Sequence, residues 1–179
     1  PPTYSPKQFS YGRQCFSELI EMLPPTPFSE WLRKINNYLE EQMDSNLPKT
    51  LIHGDIFFSN VIIGNNRQPT LMDFEESCYY YRVFELGMAI TGLCQKEGLI
   101  DFNKAKVLLQ GYQKVIALNT LELEKLKPFI IYAATATAFW RYRQFNVIAP
   151  NETYQDSYLA MQKIANQVFE SDVKIQLEI

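Results

Sequence analysis

The stretch LIHGDIFFSNVII at positions 51–63, followed by LMDFEE at 71–76, interrupts an otherwise mostly helical pattern. Short apolar, β-branched runs within it predict strands at 51–52, 61–63 and 70–72. The Gly-Asn-Asn turn at 64–66 predicts that the last two strands form a hairpin. Asn60 then lies at the base of one strand and Asp73 at the base of the other, so the hairpin brings them together.

The polar residues of this stretch have the chemistry of phosphoryl transfer. Asp55 can accept or orient a hydroxyl that attacks a phosphate. The Asn60 carbonyl and the Asp73 carboxylate are hard oxygen ligands, suited to Mg²⁺ that bridges ATP phosphates. The alternative interpretation is that these are ordinary turn and cap residues. An H-x-D-x4-N string with D-F following an apolar strand favours the kinase interpretation.

These strings resemble the aminoglycoside phosphotransferase and choline kinase superfamily, relatives of the protein kinases. In that family HGD-x4-N forms the catalytic loop, and the later D-F plays the part of the kinase D-F-G. The resemblance implies that Asp55 is the catalytic base and that Asn60 and Asp73 hold Mg²⁺, with ATP as the phosphoryl donor. It also implies that His53 and Gly54 shape the catalytic loop without taking part in acid–base chemistry.

Two features are most similar to the homoserine kinase branch of that superfamily: HGDIFFSNV at 53–61 and DFEESCYYYRVFELGMAI at 73–90. Glu85 stands where many members have Asp. Hydroxylysine and methylthioribose kinases share much of the pattern. The resemblance therefore implies an ATP-dependent kinase of a small-molecule hydroxyl, with homoserine as the favoured acceptor. Choline, aminoglycoside and hydroxylysine acceptors stay open, as does a non-catalytic pseudo-kinase binding module.

Three kinds of side chain near this stretch or on a later helix are candidates for binding the acceptor. The carboxylates suit an acceptor ammonium, the tyrosines suit the pocket wall, and the arginines suit a bidentate clamp on a carboxylate. The simpler interpretations are exposed carboxylates, half-buried packing aromatics and an ordinary charged helix end. The candidates are Glu75, Glu76, Tyr79, Tyr81, Arg141 and Arg143.

The rest of the chain has a helical pattern. The fold class is therefore α+β and mostly α, and the resemblance implies the C-terminal lobe of a protein-kinase-like, aminoglycoside phosphotransferase-type fold with a small β-hairpin. Its 179 residues predict a single domain. Helices are predicted near 11–23, 27–43, 84–96, 101–118, 121–145 and 152–170, with N-caps at Thr26, Asp101, Thr120 and Asn151.

The nucleotide-covering part of such an enzyme has no counterpart in the sequence. No G-x-G-x-x-G loop and no Val-Ala-x-Lys strand precede His53. Gly87 and Gly92 have P-loop spacing, but Leu93-Cys94 follow, so they predict close helix packing. The chain also begins with Pro1 and not Met. We therefore expect that this chain is a C-terminal lobe and that its partner, an N-terminal lobe, is missing from it. We also expect little kinase activity from residues 1–179 alone.

Composition excludes several other classes. The net charge of −3 and pI of about 5.3 argue against a nucleic-acid partner. One histidine excludes multi-histidine zinc sites. The longest uncharged stretch, 128–140, is too short for a membrane span and predicts a buried helix. Three scattered cysteines predict reduced thiols and a cytoplasmic location. The oligomeric state stays open.

Overall fold

The computed structural model describes residues 12–65 and 67–177. Helices dominate, and short strands lie mainly between the second and third of them. The helices are α1 (Arg13–Met22), α2 (Pro27–Gln42), α3 (Arg82–Leu93), α4 (Phe102–Gln113), α5 (Thr120–Tyr142), α6 (Tyr158–Glu170) and α7 (Val173–Leu177), and a π-helix (Arg143–Ile148) extends α5. The strands are β1 (Lys49–Ile52), β2 (Val61–Ile63), β3 (Pro69–Leu71), β4 (Cys78–Tyr81), β5 (Gln95–Lys96) and β6 (Leu99–Ile100).

The core is built around α5, which is buried on nearly all sides from Leu126 to Phe139. A helix that is apolar all round must be surrounded by other elements. Here α3 and α6 provide its most extensive packing. The buried helix predicted for 128–140 is confirmed. Within the described ranges, no helix is both long and apolar enough to cross a membrane.

Two glycines of α3 allow backbones to approach closely. A Cβ placed on Gly87 would lie 2.3 Å from the Phe129 carbonyl oxygen in α5. A Cβ on Gly92 would lie 2.0 Å from the Ile56 carbonyl oxygen, in the loop that contains Asp55. Real side chains cannot occupy such positions without moving the backbone. The prediction that these glycines serve helix packing is thus confirmed, and α3 directly supports the loop of interest.

Among the described residues, the strands form three antiparallel pairs. β2 pairs with β3, with Val61 opposite Leu71 and Ile63 opposite Pro69, which confirms the predicted hairpin. The return strand lies one residue earlier than predicted, and turn residue Asn66 falls outside the described residues. β1 pairs with β4 and β5 with β6. The sequence interpretation missed β4, because its Cys-Tyr-Tyr-Tyr run continues into α3 without a turn residue to separate them.

Helix ends differ from prediction at several points. Asn119, and not Thr120, is the N-cap of α5, and it forms a capping box with Glu122. α6 begins at Tyr158, well after the predicted start, because Asn151 caps a local turn by accepting a hydrogen bond from Thr153 N. α4 ends at Gln113 and α5 at Tyr142, each before its predicted end. The predicted caps Thr26 and Asp101 are confirmed.

An ion pair holds the start of α3 against α5. Arg82 Nε donates to Glu122 Oε1 at 2.8 Å, and Arg82 Nη2 donates to the second carboxylate oxygen. Glu122 is fully buried, so the bidentate partner compensates its loss of hydration. The pair fixes the first turn of α3, from which Glu85 reaches the loop described next.

Candidate active site

The hairpin brings Asn60 and Asp73 to neighbouring positions. Beyond the β2–β3 ladder, Met72 N donates to the Asn60 carbonyl oxygen at 3.0 Å. Asp73 follows immediately, in a left-handed conformation with φ of +65°. That conformation is uncommon for a residue other than glycine, and such residues concentrate at functional sites. The backbone geometry thus turns the chain sharply at the second carboxylate.

The side chain of Asn60 fixes Asp55. Asn60 Nδ2 donates to the Asp55 carbonyl oxygen at 2.9 Å and to Asp55 Oδ2 at 2.8 Å. Neither bond uses Asn60 Oδ1, the atom that would bind a cation. Asn60 is buried, at the end of a 3₁₀ turn from Phe58, so this tie is shielded from water. Side-chain bonds therefore connect Asp55 to Asn60, and the backbone bond from Met72 N connects Asn60 to the segment of Asp73, so these three residues are called the connected group.

His53 joins the Asp55 loop to the segment that contains Asp73. Its Nδ1 accepts from Asp55 N at 3.3 Å, so Nε2 carries the proton and donates to the Met72 carbonyl oxygen at 2.9 Å. The imidazole is buried and lies 4.6 Å from the Phe74 ring, measured between centroids. Both ring nitrogens are therefore occupied in holding backbone. This arrangement suits a structural role for His53.

Glu85 of α3 holds the backbone of the same loop. Its Oε1 accepts from His53 N at 2.7 Å and its Oε2 from Gly54 N at 3.0 Å. Gly54 has a φ of +85°, which explains why a glycine stands between His53 and Asp55. Burial raises the pKa of Glu85, while the two N–H donors act in the opposite direction by stabilising the carboxylate. One carboxylate thus holds two successive backbone amides.

Glu85→Gln is expected to speed hydrogen exchange at the His53 and Gly54 amides. A glutamine offers one acceptor oxygen where the glutamate offers two, and its NH₂ would face an N–H donor. Losing a hydrogen bond to a charged group costs about 1.5–3 kcal/mol, so exchange should rise on the order of 10- to 100-fold. Native-state exchange followed by NMR measures this. Glu41→Gln, at an exposed position of α2, is the control; unchanged protection in Glu85→Gln would contradict the anchoring role.

A cavity of about 320 Å³ opens beside this group. Its lining combines four carboxylates with a guanidinium and an indole, and the α5 side chains come from its last turns. The lining residues are Asp55, Phe57, Ser59, Asp73, Glu75, Glu76, Thr137, Trp140 and Arg141. The structure therefore places five of the eleven predicted site residues around one space.

Three of the predicted acceptor-binding residues do not line this cavity. β4 pairs with β1, and Tyr79 and Tyr81 line a different hollow together with Arg13 and Lys49. Tyr81 also packs against the core, with its ring 5.6 Å from that of Phe129. Arg143 is exposed at the start of the π-helix, and it is absent from the lining. Pairing of β4 with β1 explains the positions of Tyr79 and Tyr81. Arg143 follows Arg141 by two residues and therefore lies on a different side of the helix.

The sequence interpretation had not assigned Thr137, Trp140, Phe57 and Ser59 to the site. A signal for two of them was available, because Thr137, Trp140 and Arg141 are spaced i, i+3 and i+4 and therefore share one helix face. Phe57 and Ser59 lie inside the catalytic-loop string itself. Their side-chain directions depend on the 3₁₀ turn at Phe58–Asn60, which the local pattern did not reveal.

The donor set fits Mg²⁺. In the part of the chain that the structure describes, no group of three or more His, Cys, Asp or Glu side chains is arranged to hold a metal ion. Mg²⁺ usually takes only one or two carboxylates from the protein and completes its shell with water and substrate phosphates. Asp73 and the Asn60 Oδ1 atom are oxygen donors of the kind that such a site needs.

Residues 3–122 match the sequence model of the phosphotransferase enzyme family. The match covers more than half of the chain and includes every residue of the connected group. The chain belongs to the phosphotransferase enzyme family. The resemblance inferred from the catalytic-loop strings is thereby confirmed at the level of the family.

Curated relatives of this chain include proteins named homoserine kinase. The protein of that name from Agrobacterium fabrum is 33% identical over 98 residues, which is 54% of this chain and 30% of the relative. The homoserine kinase of Bartonella henselae is 33% identical over 117 residues, 63% of this chain and 37% of the relative. The matched part of this chain therefore spans about a third of the length of these relatives.

Solved structures with the same fold include a choline/ethanolamine kinase family protein and an ethanolamine kinase. A choline/ethanolamine kinase family protein from Mesorhizobium loti has a TM-score of 0.69 at 12% identity, covering 98% of this chain and 58% of its own. An ethanolamine kinase from Plasmodium vivax has a TM-score of 0.62, also at 12% identity, covering 98% and 52%. The predicted fold class, a mostly α kinase-like lobe, is confirmed. The chain spans a little over half of each neighbour.

Proposed function

We propose that the complete protein transfers a phosphoryl group from ATP to the hydroxyl of a small molecule, with homoserine as the acceptor. The observation that carries the proposal is the tie from Asn60 to Asp55. That tie holds a potential base beside the oxygen donors of Asn60 and Asp73, at the edge of a cavity of small-molecule size. The homoserine kinases among the relatives support the choice of acceptor.

The chain's residues have distinct roles in the proposed reaction. Asp55 orients the acceptor hydroxyl and takes its proton as the oxygen forms a bond to the γ-phosphorus and the bond from phosphorus to ADP breaks. Asn60 fixes the Asp55 carboxylate, and Glu85 holds the loop backbone on which both depend. Mg²⁺, held by Asn60 Oδ1 and Asp73, would neutralise charge on the phosphate oxygens.

A partner lobe is part of the proposal. Large apolar side chains are exposed around the hairpin, beside the site: Phe58 (63%), Ile62 (52%), Ile63 (62%), Met72 (43%) and Phe74 (60%). A contiguous exposed apolar patch is typical of a surface that another element covers. We propose that an N-terminal lobe and the nucleotide cover it, and that residues 1–179 alone have weak affinity for ATP and little activity.

A panel of acceptors with the complete protein tests the function. ATP consumption is measured with homoserine, choline, ethanolamine, hydroxylysine and an aminoglycoside, each with Mg²⁺. The proposal expects the highest kcat/KM with homoserine. Preference for another acceptor would replace homoserine as the proposed substrate, and no turnover with any acceptor would favour a non-catalytic binding module.

The three free cysteines, Cys15, Cys78 and Cys94, support a reducing, cytoplasmic setting for the protein, and the assay is therefore run under reducing conditions.

A further inference from the structure

We propose that the hydroxyl of Ser59 stabilises the phosphoryl group while it is transferred. Ser59 Oγ–H donates a hydrogen bond to a non-bridging oxygen of the γ-phosphoryl group as the phosphorus exchanges its bond to ADP for a bond to the acceptor oxygen. Ser59 keeps its proton throughout, and Asp55 receives the proton of the acceptor hydroxyl. The inference rests on the proposed function and deepens it, because it adds a catalytic residue whose role does not depend on the identity of the acceptor.

The cavity beside Asp55 has an excess of negative charge. Four carboxylates line it, and the guanidinium of Arg141 is engaged by the protein, since its Nη1 donates to the Ser157 carbonyl oxygen at 3.1 Å. A phosphoryl group carries negative charge on its equatorial oxygens during transfer, and hydrogen-bond donors that face these oxygens stabilise the transition state. The reaction therefore requires donors in this cavity that the protein does not already use.

The side-chain donors of the lining differ in whether the protein uses them. Apart from the guanidinium, the described lining contains three such donors, on Ser59, Thr137 and Trp140. The Thr137 hydroxyl is engaged, because it donates to the Ala133 carbonyl oxygen at 3.0 Å. Among the described residues, the Ser59 hydroxyl and the Trp140 indole N–H have no hydrogen-bond partner. These two groups are therefore the donors available to a bound substrate.

The position of Ser59 in the chain favours it over Trp140. Ser59 directly precedes Asn60, whose Oδ1 is a candidate metal ligand, and it lies four residues after Asp55. The base faces the acceptor hydroxyl and the metal faces the phosphate oxygens, so the transferred group passes between them. Trp140 instead belongs to α5, where its ring packs edge to face against that of Phe145 with 5.9 Å between centroids. Ser59 is thus the available donor on the loop where transfer takes place.

Hydrogen bonds fix the loop on both sides of Ser59. Phe57 N donates to the Asp55 carbonyl oxygen at 3.1 Å, and Asn60 N donates to the Phe57 carbonyl oxygen at 2.9 Å. Asn60 Nδ2 closes the loop by donating to Asp55 Oδ2 at 2.8 Å. A donor on a backbone that is fixed before the reaction needs little reorganisation in the transition state, which is the condition under which such a donor speeds a reaction.

Ser59→Ala in the complete protein is expected to lower kcat about 30-fold. Removing one preorganised donor from a water-excluded site lowers kcat about 100- to 1000-fold, and the exposure of Ser59 lets water replace part of the bond. The KM for the acceptor should stay within about twofold, because the bond is made to the transferred group and not to the acceptor. Ser59→Thr keeps the hydroxyl, so its kcat should stay within about threefold of wild type. Steady-state kinetics measure both, with the acceptor that has the highest kcat/KM in the panel.

A binding measurement separates this role from a general effect on nucleotide affinity. ADP with Mg²⁺ and aluminium fluoride mimics the phosphoryl group during transfer. Calorimetry should show that Ser59→Ala binds this combination about tenfold more weakly than wild type does, because a mimic reproduces part of the transition-state interaction. Binding of ADP with Mg²⁺ alone should be unchanged. Equal weakening of both would overturn the inference.

The control is Ser45→Ala, the same substitution at an exposed position in the loop after α2, which should match wild type in every measurement. Wild-type kcat in Ser59→Ala, a loss confined to the acceptor KM, or an equal loss in Ser59→Thr would each overturn the inference. These outcomes leave the proposed function intact, because wild-type protein still phosphorylates its acceptor in them. Wild-type protein that phosphorylates no acceptor would instead reject the proposed function itself.

Discussion

Asp55→Ala is expected to lower the kcat of the complete protein with its acceptor about 1000-fold, the range typical of losing a positioned general base. The substitution removes the carboxylate that orients the hydroxyl and takes its proton. It keeps the Asp55 carbonyl oxygen, which still accepts from Asn60 Nδ2, so the loop retains one of its two ties to that side chain. Steady-state turnover at saturating ATP and acceptor measures the effect.

Two further variants make this result specific. Asp55→Asn keeps the size and one acceptor oxygen but cannot take a proton, so it should be as inactive as the alanine variant. Asp44→Asn makes the same change in the loop after α2, outside the cavity lining, and should be fully active. The melting temperature of all three should stay near that of wild type. Turnover by Asp55→Asn within tenfold of wild type would remove Asp55 from the mechanism.

Gly92→Ala is expected to destabilise the protein by about 3 kcal/mol, the upper part of the range for overpacking. The new Cβ would lie 2.0 Å from the Ile56 carbonyl oxygen and 2.9 Å from the Phe57 Cα, both backbone atoms. No rotamer change relieves that contact, so α3 or the loop must move. Because Ile56 follows Asp55 directly, kcat should fall as well. Urea unfolding measures the stability of the variant.

Gly111→Ala supplies the matched control. Gly111 lies within α4, and a Cβ there meets nothing within 4 Å. Alanine should stabilise this helix by about 0.5–1 kcal/mol, because glycine loses more conformational entropy on folding. The same substitution is thus expected to have opposite signs at the two sites. A Gly92→Ala variant as stable as wild type would mean that α3 does not set the position of the loop.

Local patterns were enough to predict the hairpin, the buried helix and the grouping of Asp55, Asn60 and Asp73. Each depends on residues close in sequence: a turn joins two apolar runs, and a fixed spacing separates a carboxylate from an amide. The role of Glu85 was only partly visible. Its place where many members of the resembling family have Asp was visible, but its two bonds to the His53 and Gly54 amides join residues more than thirty positions apart.

Contacts between residues far apart in sequence determine the features that local patterns did not predict. β4 was hidden because its partner β1 lies some thirty residues earlier, and that pairing carries Tyr79 and Tyr81 away from the cavity. Local sequence patterns did not distinguish Arg141 from Arg143 as candidates for the site. They differ because one face of α5, shared by Thr137, Trp140 and Arg141, lines the cavity beside Asp55. Side-chain direction around a helix requires knowledge of what the helix packs against.

The most direct test of the account is the identity of the product formed by the complete protein from ATP, Mg²⁺ and L-homoserine. Phosphorus NMR distinguishes a phosphate ester on the acceptor hydroxyl from free phosphate. The account expects one new phosphate ester with wild type, formed in equal amount with ADP, and none with Asp55→Asn over the same time. No ester with wild type, or ester formed at the wild-type rate by Asp55→Asn, would contradict it.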